Sequence, residues 1–218
     1  MRNYRITIIR HGQTEGNEKA LYIGKTDLPL SQKGVDEVKA LCDENEYPWV
    51  TKVYTSPLKR CVQTAALIFP DKEISVVDGL AEMDFGDFDG KSVDELAGLD
   101  EYKEWLKGGL DNKAHGGETI REMIGRTLAA FNEILTDMMD DGIYDAAIIT
   151  HSGILMNMLS CFGLPRMEPM EFACGAGEGY AISVDLRLWQ TGGVFEILGR
   201  VPCIKESEED EETDSGRR

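Results

Sequence analysis

Short apolar segments that end in polar, reactive side chains recur along this chain, and this recurrence constrains the fold more than any other feature. Residues 6–9 are apolar or β-branched and lead directly into Arg10 and His11. Residues 145–150 resemble a buried strand, and His151 follows them. Helix-like segments separate such runs, and strands that alternate with helices are typical of a parallel sheet. We therefore predict an α/β fold, a three-layer sandwich with a mostly parallel sheet flanked by helices.

The individual elements are predicted from apolar periodicity, capping residues and turn residues. Predicted strands cover about residues 5–9, 50–54, 74–77, 145–150, 181–188 and 194–198. Predicted helices cover about residues 33–43, 57–68, 102–107, 120–138 and 154–162. A further short helix is expected after a capping box formed by Ser92 and Glu95. Thr191, Gly192 and Gly193 fit a hairpin turn, which would make the last two strands antiparallel.

The segment from Arg10 to Asn17 combines groups that suit phosphoryl transfer. The neutral imidazole of His11 can attack phosphorus, and the guanidinium of Arg10 can donate two parallel hydrogen bonds to phosphate oxygens. Asn17 adds a neutral donor, and we interpret Gly12 and Gly16 as residues that let the backbone approach an anion. A surface turn after a buried strand would by itself explain the Arg-His-Gly tripeptide.

A second cationic group is predicted near the start of the helix over residues 57–68. Ser56 is expected to be the N-cap and Pro57 the first helical residue, which places Arg60 in the first turns. Free N–H groups and the helix dipole favour anions there, so Arg60 would strengthen a phosphate site. An ordinary solvated helix arginine is the alternative.

Glu82 is predicted to supply a proton. It follows the predicted strand at residues 74–77, and a carboxyl group there could protonate a leaving alcohol. The neighbouring Asp84, Asp87 and Asp89 would raise its pKa by charge repulsion. A solvated acidic loop or a calcium loop are the alternatives, although no glutamate completes the ligand spacing of a helix–loop–helix calcium site.

His151 stands at another predicted strand end, where its ring could bind the phosphoryl group as charge builds in the transition state. A satisfied core histidine is the alternative. Open α/β sheets bind ligands at the carboxyl ends of their strands, so residues at the four strand ends should meet along one edge. The predicted catalytic residues at this edge are Arg10, His11, Arg60, Glu82 and His151.

These motifs resemble those of the histidine phosphatase superfamily, which includes the cofactor-dependent phosphoglycerate mutases, and the resemblance extends to about residue 200. It implies a phosphoglycerate mutase-like fold, with no cofactor and no metal ion. It also implies that His11 is the phosphorylated nucleophile and that Glu82 is the proton donor and later the base that activates water. The implied phosphate pocket consists of Arg10, Arg60 and His151, with Asn17 and Gly24 at lining positions.

The segment between Met83 and Gly117 is expected to select the substrate. Its aromatic side chains are Phe85, Phe88, Tyr102 and Trp105. Phosphoglycerate mutases carry a longer and more basic insertion here, so this compact segment favours hydrolysis. Residues 82–91 are similar to the corresponding run of α-ribazole phosphatases, and the same run occurs in broad-specificity sugar phosphate and phosphoglycerate phosphatases.

The resemblance thus predicts a metal-independent phosphomonoesterase acting on a small-molecule phosphate ester, with α-ribazole 5′-phosphate as a candidate substrate. Three other functions stay open. One is a phosphoglycerate mutase or sugar phosphate phosphatase. The second is a metallohydrolase that uses His11, His151 and Glu82. The third is a non-catalytic interaction protein that binds phosphate.

The formal net charge of −17 argues against nucleic acid as a partner. No apolar run approaches the ~20 residues of a membrane span, and the N-terminal segment is too short for a signal peptide, so we expect a cytoplasmic protein without a membrane partner. The five cysteines are scattered and odd in number, which indicates reduced thiols. Cys61 adjoins Arg60 and is expected to be a small buried residue, with an oxidant sensor as the alternative.

Residues 206–214 are acidic or hydroxylated and include no apolar side chain. Such a segment cannot bury a face, so we predict a catalytic domain over residues 1–203 and a disordered acidic tail over residues 204–218. An exposed strand edge near residues 194–198 would allow a homodimer.

Overall fold

The computed structural model describes residues 3–205, and the acidic run predicted at residues 206–214 lies outside this range. The strands are β1 (Tyr4–Arg10), β2 (Asn45–Glu46), β3 (Lys52–Thr55), β4 (Glu73–Val76), β5 (Asp145–Thr150), β6 (Gly163–Leu164), β7 (Gly179–Val184), β8 (Phe195–Val201) and β9 (Cys203–Ile204). The helices are α1 (Glu15–Glu18), α2 (Gln32–Glu44), α3 (Lys59–Ile68), α4 (Val93–Leu96), α5 (Asp100–Leu106), α6 (Ile120–Asp140), α7 (Ser152–Phe162) and α8 (Leu186–Gly192).

Seven of these strands form one sheet in the order β4-β3-β5-β1-β7-β8-β6. The pairs β4–β3, β3–β5, β5–β1 and β8–β6 are parallel, whereas β7 runs antiparallel to both of its neighbours. The predicted α/β fold with a mostly parallel sheet is therefore confirmed.

The central strand β5 shows why helices cover both faces of the sheet. Its residues are all buried, and successive side chains of a strand point to opposite faces. Ala146 and Ile148 pack into a cluster that includes Phe131 of α6 and Leu155 of α7. Their neighbours in the strand pack into a second cluster with Cys61 and Ala65 of α3. The sheet thus lies between two helical layers.

The register between β1 and β5 aligns the two predicted histidines. Arg10 pairs with Thr150, so His11 and His151 leave the sheet at the same level. The backbone N–H of His11 donates to the carbonyl of Thr150 at 2.9 Å. On the other side of β5, the N–H of Ser56 donates to the carbonyl of Ile149 at 3.0 Å. Parallel pairing therefore brings three distant chain segments to one edge.

The predicted start of the helix over residues 57–68 is wrong by two residues. Helix α3 begins at Lys59, with Leu58 as its N-cap and no side-chain capping bond from that residue. The hydroxyl group of Ser56 instead contacts His151, and Asp27 accepts a hydrogen bond from the N–H of Lys59 at 2.7 Å. A cap from a distant loop therefore replaces the local cap.

The predicted strand over residues 181–188 ends at Val184, and the predicted hairpin at residues 191–193 is wrong. The carboxylate of Asp185 accepts hydrogen bonds from the N–H groups of Arg187 and Leu188, which starts helix α8. Gly193 ends this helix in the left-handed conformation with φ of 60°. The predicted antiparallel pairing of the last two long strands is nevertheless confirmed, with α8 as the connection.

Short strands at the margins of the fold escaped sequence prediction. Gly163–Leu164 pairs with Phe195 and Glu196, so β8 is covered there and the exposed edge predicted near residues 194–198 is partly occupied. The two-residue strands β2 and β9 form a small second sheet. The Lys205 ammonium donates to backbone carbonyls at the end of α2, and the domain boundary at residue 203 stays a prediction. No helix between residues 3 and 205 has the length and apolar character needed to cross a membrane.

Candidate active site

His11 lies directly after β1 and is buried in a neutral state. Its Nδ1 is 2.6 Å from the carbonyl oxygen of Gly12. A carbonyl can only accept, so Nδ1 carries the proton and the lone pair is on Nε2. Burial, together with the positive charges of Arg60 and Arg10 and against the opposing Gly12 hydrogen bond, lowers the pKa of His11 to about 3.

His151 lies beside His11, with ring centroids 5.0 Å apart and an edge-on arrangement. Its Nδ1 accepts a hydrogen bond from Nε of Arg60 at 3.3 Å, so the ring proton is on Nε2, which donates to the hydroxyl of Ser56 at 2.7 Å. Burial lowers its pKa far below the usual range, and the neighbouring His11 ring and the charge of Arg60 lower it as well. His151 is therefore neutral, and both of its nitrogens are engaged.

Arg60 is almost completely buried, and its guanidinium is fixed by a loop of the chain. Its two terminal nitrogens donate to the carbonyl of Gly24 at 2.8 Å and to that of Thr26 at 2.9 Å. The carboxylate of Asp89 holds this loop, since it accepts from the N–H of Gly24 and from the N–H and hydroxyl of Thr26, all at 2.9 Å. Gly24 therefore contributes through its backbone.

Glu82 is buried and anchored near His151. Its two carboxylate oxygens accept from the N–H of Met83 at 2.9 Å and from the N–H of Gly153 at 3.2 Å. Burial raises its pKa, while these hydrogen bonds and the charges of Arg60 and Arg126 oppose the shift. A carboxyl group in this state suits proton transfer near neutral pH.

The predicted cause of the raised pKa of Glu82 is wrong, because burial and not the nearby aspartates produces it. Asp84 contacts Lys25 at 2.6 Å, and Asp87 contacts His115 at 3.3 Å. Asp89 supports the loop that holds Arg60. Each acidic side chain of this run therefore has a partner of its own.

Arg10 borders the same site. One terminal nitrogen donates to the carbonyl of Cys174 at 2.7 Å, whereas Nε is buried and has no hydrogen-bond partner among the described residues. An unpaired buried donor costs about 1–3 kcal/mol, so this group favours binding of an acceptor such as a phosphate oxygen. A cavity of about 320 Å³ adjoins it, lined by Arg10, Asn17, Ala20, Leu21, Tyr22 and Val93.

The family model for the histidine phosphatase superfamily (branch 1) matches residues 6–191, a span that includes all of these groups. The chain belongs to this superfamily. The prediction of an enzyme of the histidine phosphatase superfamily is thereby confirmed, and every predicted site residue lies in or beside one buried cluster at the carboxyl edge of the sheet.

Relatives and solved structures match much of this chain. Phosphoserine phosphatase 1 of Hydrogenobacter thermophilus is 28% identical over 134 residues, which cover 60% of this chain and 64% of that protein. The adenosylcobalamin/alpha-ribazole phosphatase of Escherichia coli is 24% identical over 189 residues, which cover 83% and 90%. The crystal structure of the alpha-ribazole phosphatase from Shigella flexneri has a TM-score of 0.75 at 22% identity and covers 94% of this chain and 100% of that one. The fold is therefore shared.

Gly12 and Gly16 have a packing role in the structure. A Cβ on Gly12 would lie 2.9 Å from a methyl carbon of Val38, and one on Gly16 would lie 2.5 Å from the side chain of Ile23. Both glycines therefore permit close packing of the first loop onto neighbouring segments. That they also let the backbone approach an anion stays a prediction.

Most aromatic side chains of the segment between Met83 and Gly117 pack against one another. Phe88 and Tyr102 are buried, and their cluster includes Trp105 and Tyr22. Tyr22, outside the segment, also lines the cavity beside Arg10. On this side the cavity beside Arg10 is therefore lined by Tyr22 and Val93 and not by the buried rings.

Two further residues are placed as follows. His115 is exposed on the surface, outside the buried cluster. The Cys61 thiol is buried 3.4 Å from Nε2 of His151, and burial raises its pKa strongly. The expected role of Cys61 as a small buried residue agrees with this position.

Sequence reasoning missed three supporting residues. Gly153, Asp89 and Arg126 each hold a predicted site residue, but their contacts cross 44–71 positions of the chain. No local pattern marks such contacts. Between residues 3 and 205, no three His, Cys, Asp or Glu side chains are grouped so that they could hold a metal ion.

Proposed function

We propose that this protein hydrolyses a small phosphate monoester through a phosphohistidine on His11. In the first step the lone pair of His11 Nε2 attacks phosphorus and forms a P–N bond. The ester P–O bond breaks, and its electron pair leaves with the alcohol oxygen. The protonated carboxyl of Glu82 gives its proton to that oxygen, so a neutral alcohol departs.

The second step returns the enzyme to its starting state. The carboxylate of Glu82 takes a proton from water, and the water oxygen attacks phosphorus. The P–N bond breaks, and its electron pair returns to Nε2 of His11. Inorganic phosphate leaves, Glu82 is again protonated, and no metal ion or cofactor enters the balance.

One observation carries this proposal. A neutral histidine, with its lone pair on Nε2, lies among two guanidiniums and a second neutral histidine, next to a carboxyl group with a raised pKa. The guanidiniums can stabilise the equatorial oxygens of the transferred phosphoryl group. His151 would contribute by exchanging its hydrogen bond to Ser56 for one to a phosphate oxygen, and Asn17 by donating from its amide nitrogen.

The cavity beside Arg10 favours a leaving group without a second negative charge. Arg10 is the one charged residue among those that line it, and Leu21, Tyr22 and Val93 supply apolar and aromatic surface. Arg10 would be occupied by the phosphoryl group, so the carboxylate of phosphoserine or phosphoglycerate would find no second cation among the lining residues. A leaving alcohol that carries a neutral ring, such as the α-ribazole of α-ribazole 5′-phosphate, fits this lining better.

The His11→Ala variant tests the chemistry. Hydrolysis of p-nitrophenyl phosphate should fall by more than about a thousandfold, because the nucleophile is lost. Alkaline quenching of the wild type during turnover should trap an acid-labile phosphoprotein that the variant cannot form. His115→Ala, which removes an exposed histidine, is the matched control and should keep full activity. Activity retained in His11→Ala would refute the proposal.

A panel of phosphate esters compared by kcat/KM tests the substrate class. We expect a riboside 5′-phosphate to exceed phosphoserine, 3-phosphoglycerate and sugar phosphates, and Tyr22→Ala to reduce this preference. A higher kcat/KM for 3-phosphoglycerate than for the other esters would favour the mutase or phosphoglycerate phosphatase alternative. Loss of activity in a chelator would favour the metallohydrolase. Thermal stabilisation by inorganic phosphate without turnover of any ester would favour a non-catalytic phosphate-binding protein.

A further inference from the structure

Arg126 of α6 holds the backbone before Glu82 and at Glu82 itself. One terminal nitrogen donates to the carbonyls of Gly79 and Ala81 at 2.9 and 2.7 Å, and the other donates to the carbonyl of Glu82 itself at 3.0 Å. These contacts join α6 to a segment 44 to 47 positions earlier in the chain. They fix the residue that carries the carboxyl group, not the carboxyl group directly.

Glu118 orients this guanidinium and extends the contact to the far side of Glu82. Its carboxylate accepts from Nε of Arg126 at 3.0 Å and from a terminal nitrogen at 2.6 Å, a bidentate geometry. One of the same oxygens accepts from the N–H of Asp84 at 2.9 Å. The pair therefore holds backbone atoms before, at and after Glu82.

The hydrogen-bonding capacity of the Arg126 guanidinium is fully used. Its five N–H groups match the five contacts to Glu118 and to the three carbonyls. None is left for a ligand, which separates Arg126 from Arg10 and Arg60. A lysine could not reproduce this planar fork.

We propose that Arg126, oriented by Glu118, is a positioning residue that keeps Glu82 aligned for proton transfer to the leaving oxygen. The proposal rests on the function proposed above. The carboxyl of Glu82 is held by the N–H groups of Met83 and Gly153, so its location depends on where its own backbone lies. A misplacement of about 1 Å can cost about a hundredfold in rate.

A comparison of two leaving groups distinguishes a misplaced proton donor from a general loss of active-site structure. The p-nitrophenolate ion departs without a proton, whereas an alkoxide needs one. In Arg126→Met, kcat/KM for the best alkyl phosphate of the substrate panel should fall by about ten- to a hundredfold. For p-nitrophenyl phosphate, kcat/KM should change by less than about threefold, because this parameter reports the steps up to transfer to His11.

Arg121→Met is the matched control. Arg121 lies on the same helix and also forms a bidentate ion pair, with Asp111 at 2.7 and 3.1 Å, but on the exposed surface. It should leave both substrates unaffected. Glu82→Gln removes the proton donor itself, so it should show the largest loss of kcat/KM for the alkyl phosphate relative to p-nitrophenyl phosphate. Glu118→Gln serves as a second variant in case Arg126→Met does not fold, and it should give a smaller loss with the same selectivity.

The inference is overturned if folded Arg126→Met keeps the wild-type ratio of kcat/KM for the alkyl phosphate to kcat/KM for p-nitrophenyl phosphate, whether both values are unchanged or both fall equally. If Arg126→Met does not fold, an unchanged ratio in Glu118→Gln overturns it. Failure of the proposed function looks different, because His11→Ala would then stay active or Glu82→Gln would show no dependence on the leaving group. Circular dichroism and thermal unfolding would establish that each variant is folded at the assay temperature.

Discussion

Gly153 keeps the carboxyl group of Glu82 in place by having no side chain. An added Cβ would lie 2.6 Å from Oε1 of Glu82, closer than any normal contact, so Gly153→Ala must displace the carboxyl group. The backbone N–H that binds the other oxygen would move with it. We expect kcat/KM for alkyl phosphates to fall by about ten- to a hundredfold in steady-state assays, with a smaller loss for aryl phosphates.

Gly125→Ala is the matched control for this substitution. Gly125 lies within α6, and an added Cβ there would meet nothing within 4 Å. Because alanine favours helix by about 1 kcal/mol over glycine, this variant should be slightly more stable and fully active. Wild-type activity in Gly153→Ala would contradict the close contact with Glu82.

The burial of Cys61 predicts that its thiol reacts poorly with thiol reagents in the folded protein. Its side chain is inaccessible and its thiol pKa is raised by burial, so little thiolate forms. Cys203 is exposed. A thiol reagent followed by peptide mass spectrometry should label Cys203 in the folded protein and Cys61 only after unfolding. Equal labelling of the two in the native protein would instead support the oxidant sensor considered from sequence.

At the scale of elements, the 3₁₀ turn over Gly86–Phe88 ends at Asp89, which supports the loop that fixes Arg60. Asp89→Asn replaces one acceptor oxygen with a donor nitrogen and removes the charge, so the loop and the guanidinium should lose their alignment. Charge-assisted hydrogen bonds contribute about 1.5–3 kcal/mol, so kcat/KM for p-nitrophenyl phosphate should fall by at least about tenfold. Asp94→Asn, at an exposed position of α4, should have no effect, and equal activities would argue against this support.

The helices show what local signals can and cannot predict. Capping boxes at Ser92 and Thr119 lie within one turn of the helices they start, so α4 and α6 were predictable. Helix α3 is capped from Asp27, a distant position that leaves no mark near Lys59. Residues 185–188 alternate between polar and apolar side chains as a strand does. The carboxylate of Asp185 nevertheless caps the N–H groups of Arg187 and Leu188, so a helix forms there.

At the scale of the whole molecule, the predicted strand ends indicated which side chains lie together, because parallel pairing leaves little freedom in where the strand ends meet. His11 and His151 could be assigned from sequence, since each follows an apolar run and the two strands are neighbours. Arg126 could not, because an arginine on an amphipathic helix usually faces solvent. Its contacts exist only once α6 has packed beside residues 78–82.

The neutral buried histidines make the stability of the fold depend on pH. The pKa of His11 is lowered to about 3 from an ordinary 6.5, so the unfolded chain binds a proton in this interval that the folded protein does not. The free energy of unfolding should therefore fall as pH decreases below 6.5, by about 1.4 kcal/mol per pH unit for each such histidine. His151 adds to this effect because its pKa is lowered as well.

Glu82 acts in the opposite sense. Its raised pKa lets the folded protein keep a proton that the unfolded chain releases above 4.5, so this contribution to stability is lost as pH rises through the folded value. The free energy of unfolding, measured with urea at pH 5, 6 and 7 in buffers without phosphate, would show the contribution of His11 when the wild type is compared with a variant. His11→Gln should flatten the decline between pH 6.5 and 5, whereas His115→Gln, which removes an exposed histidine, should not. A decline of equal slope in the wild type and His11→Gln would show that His11 is charged in the folded protein and cannot be the neutral nucleophile.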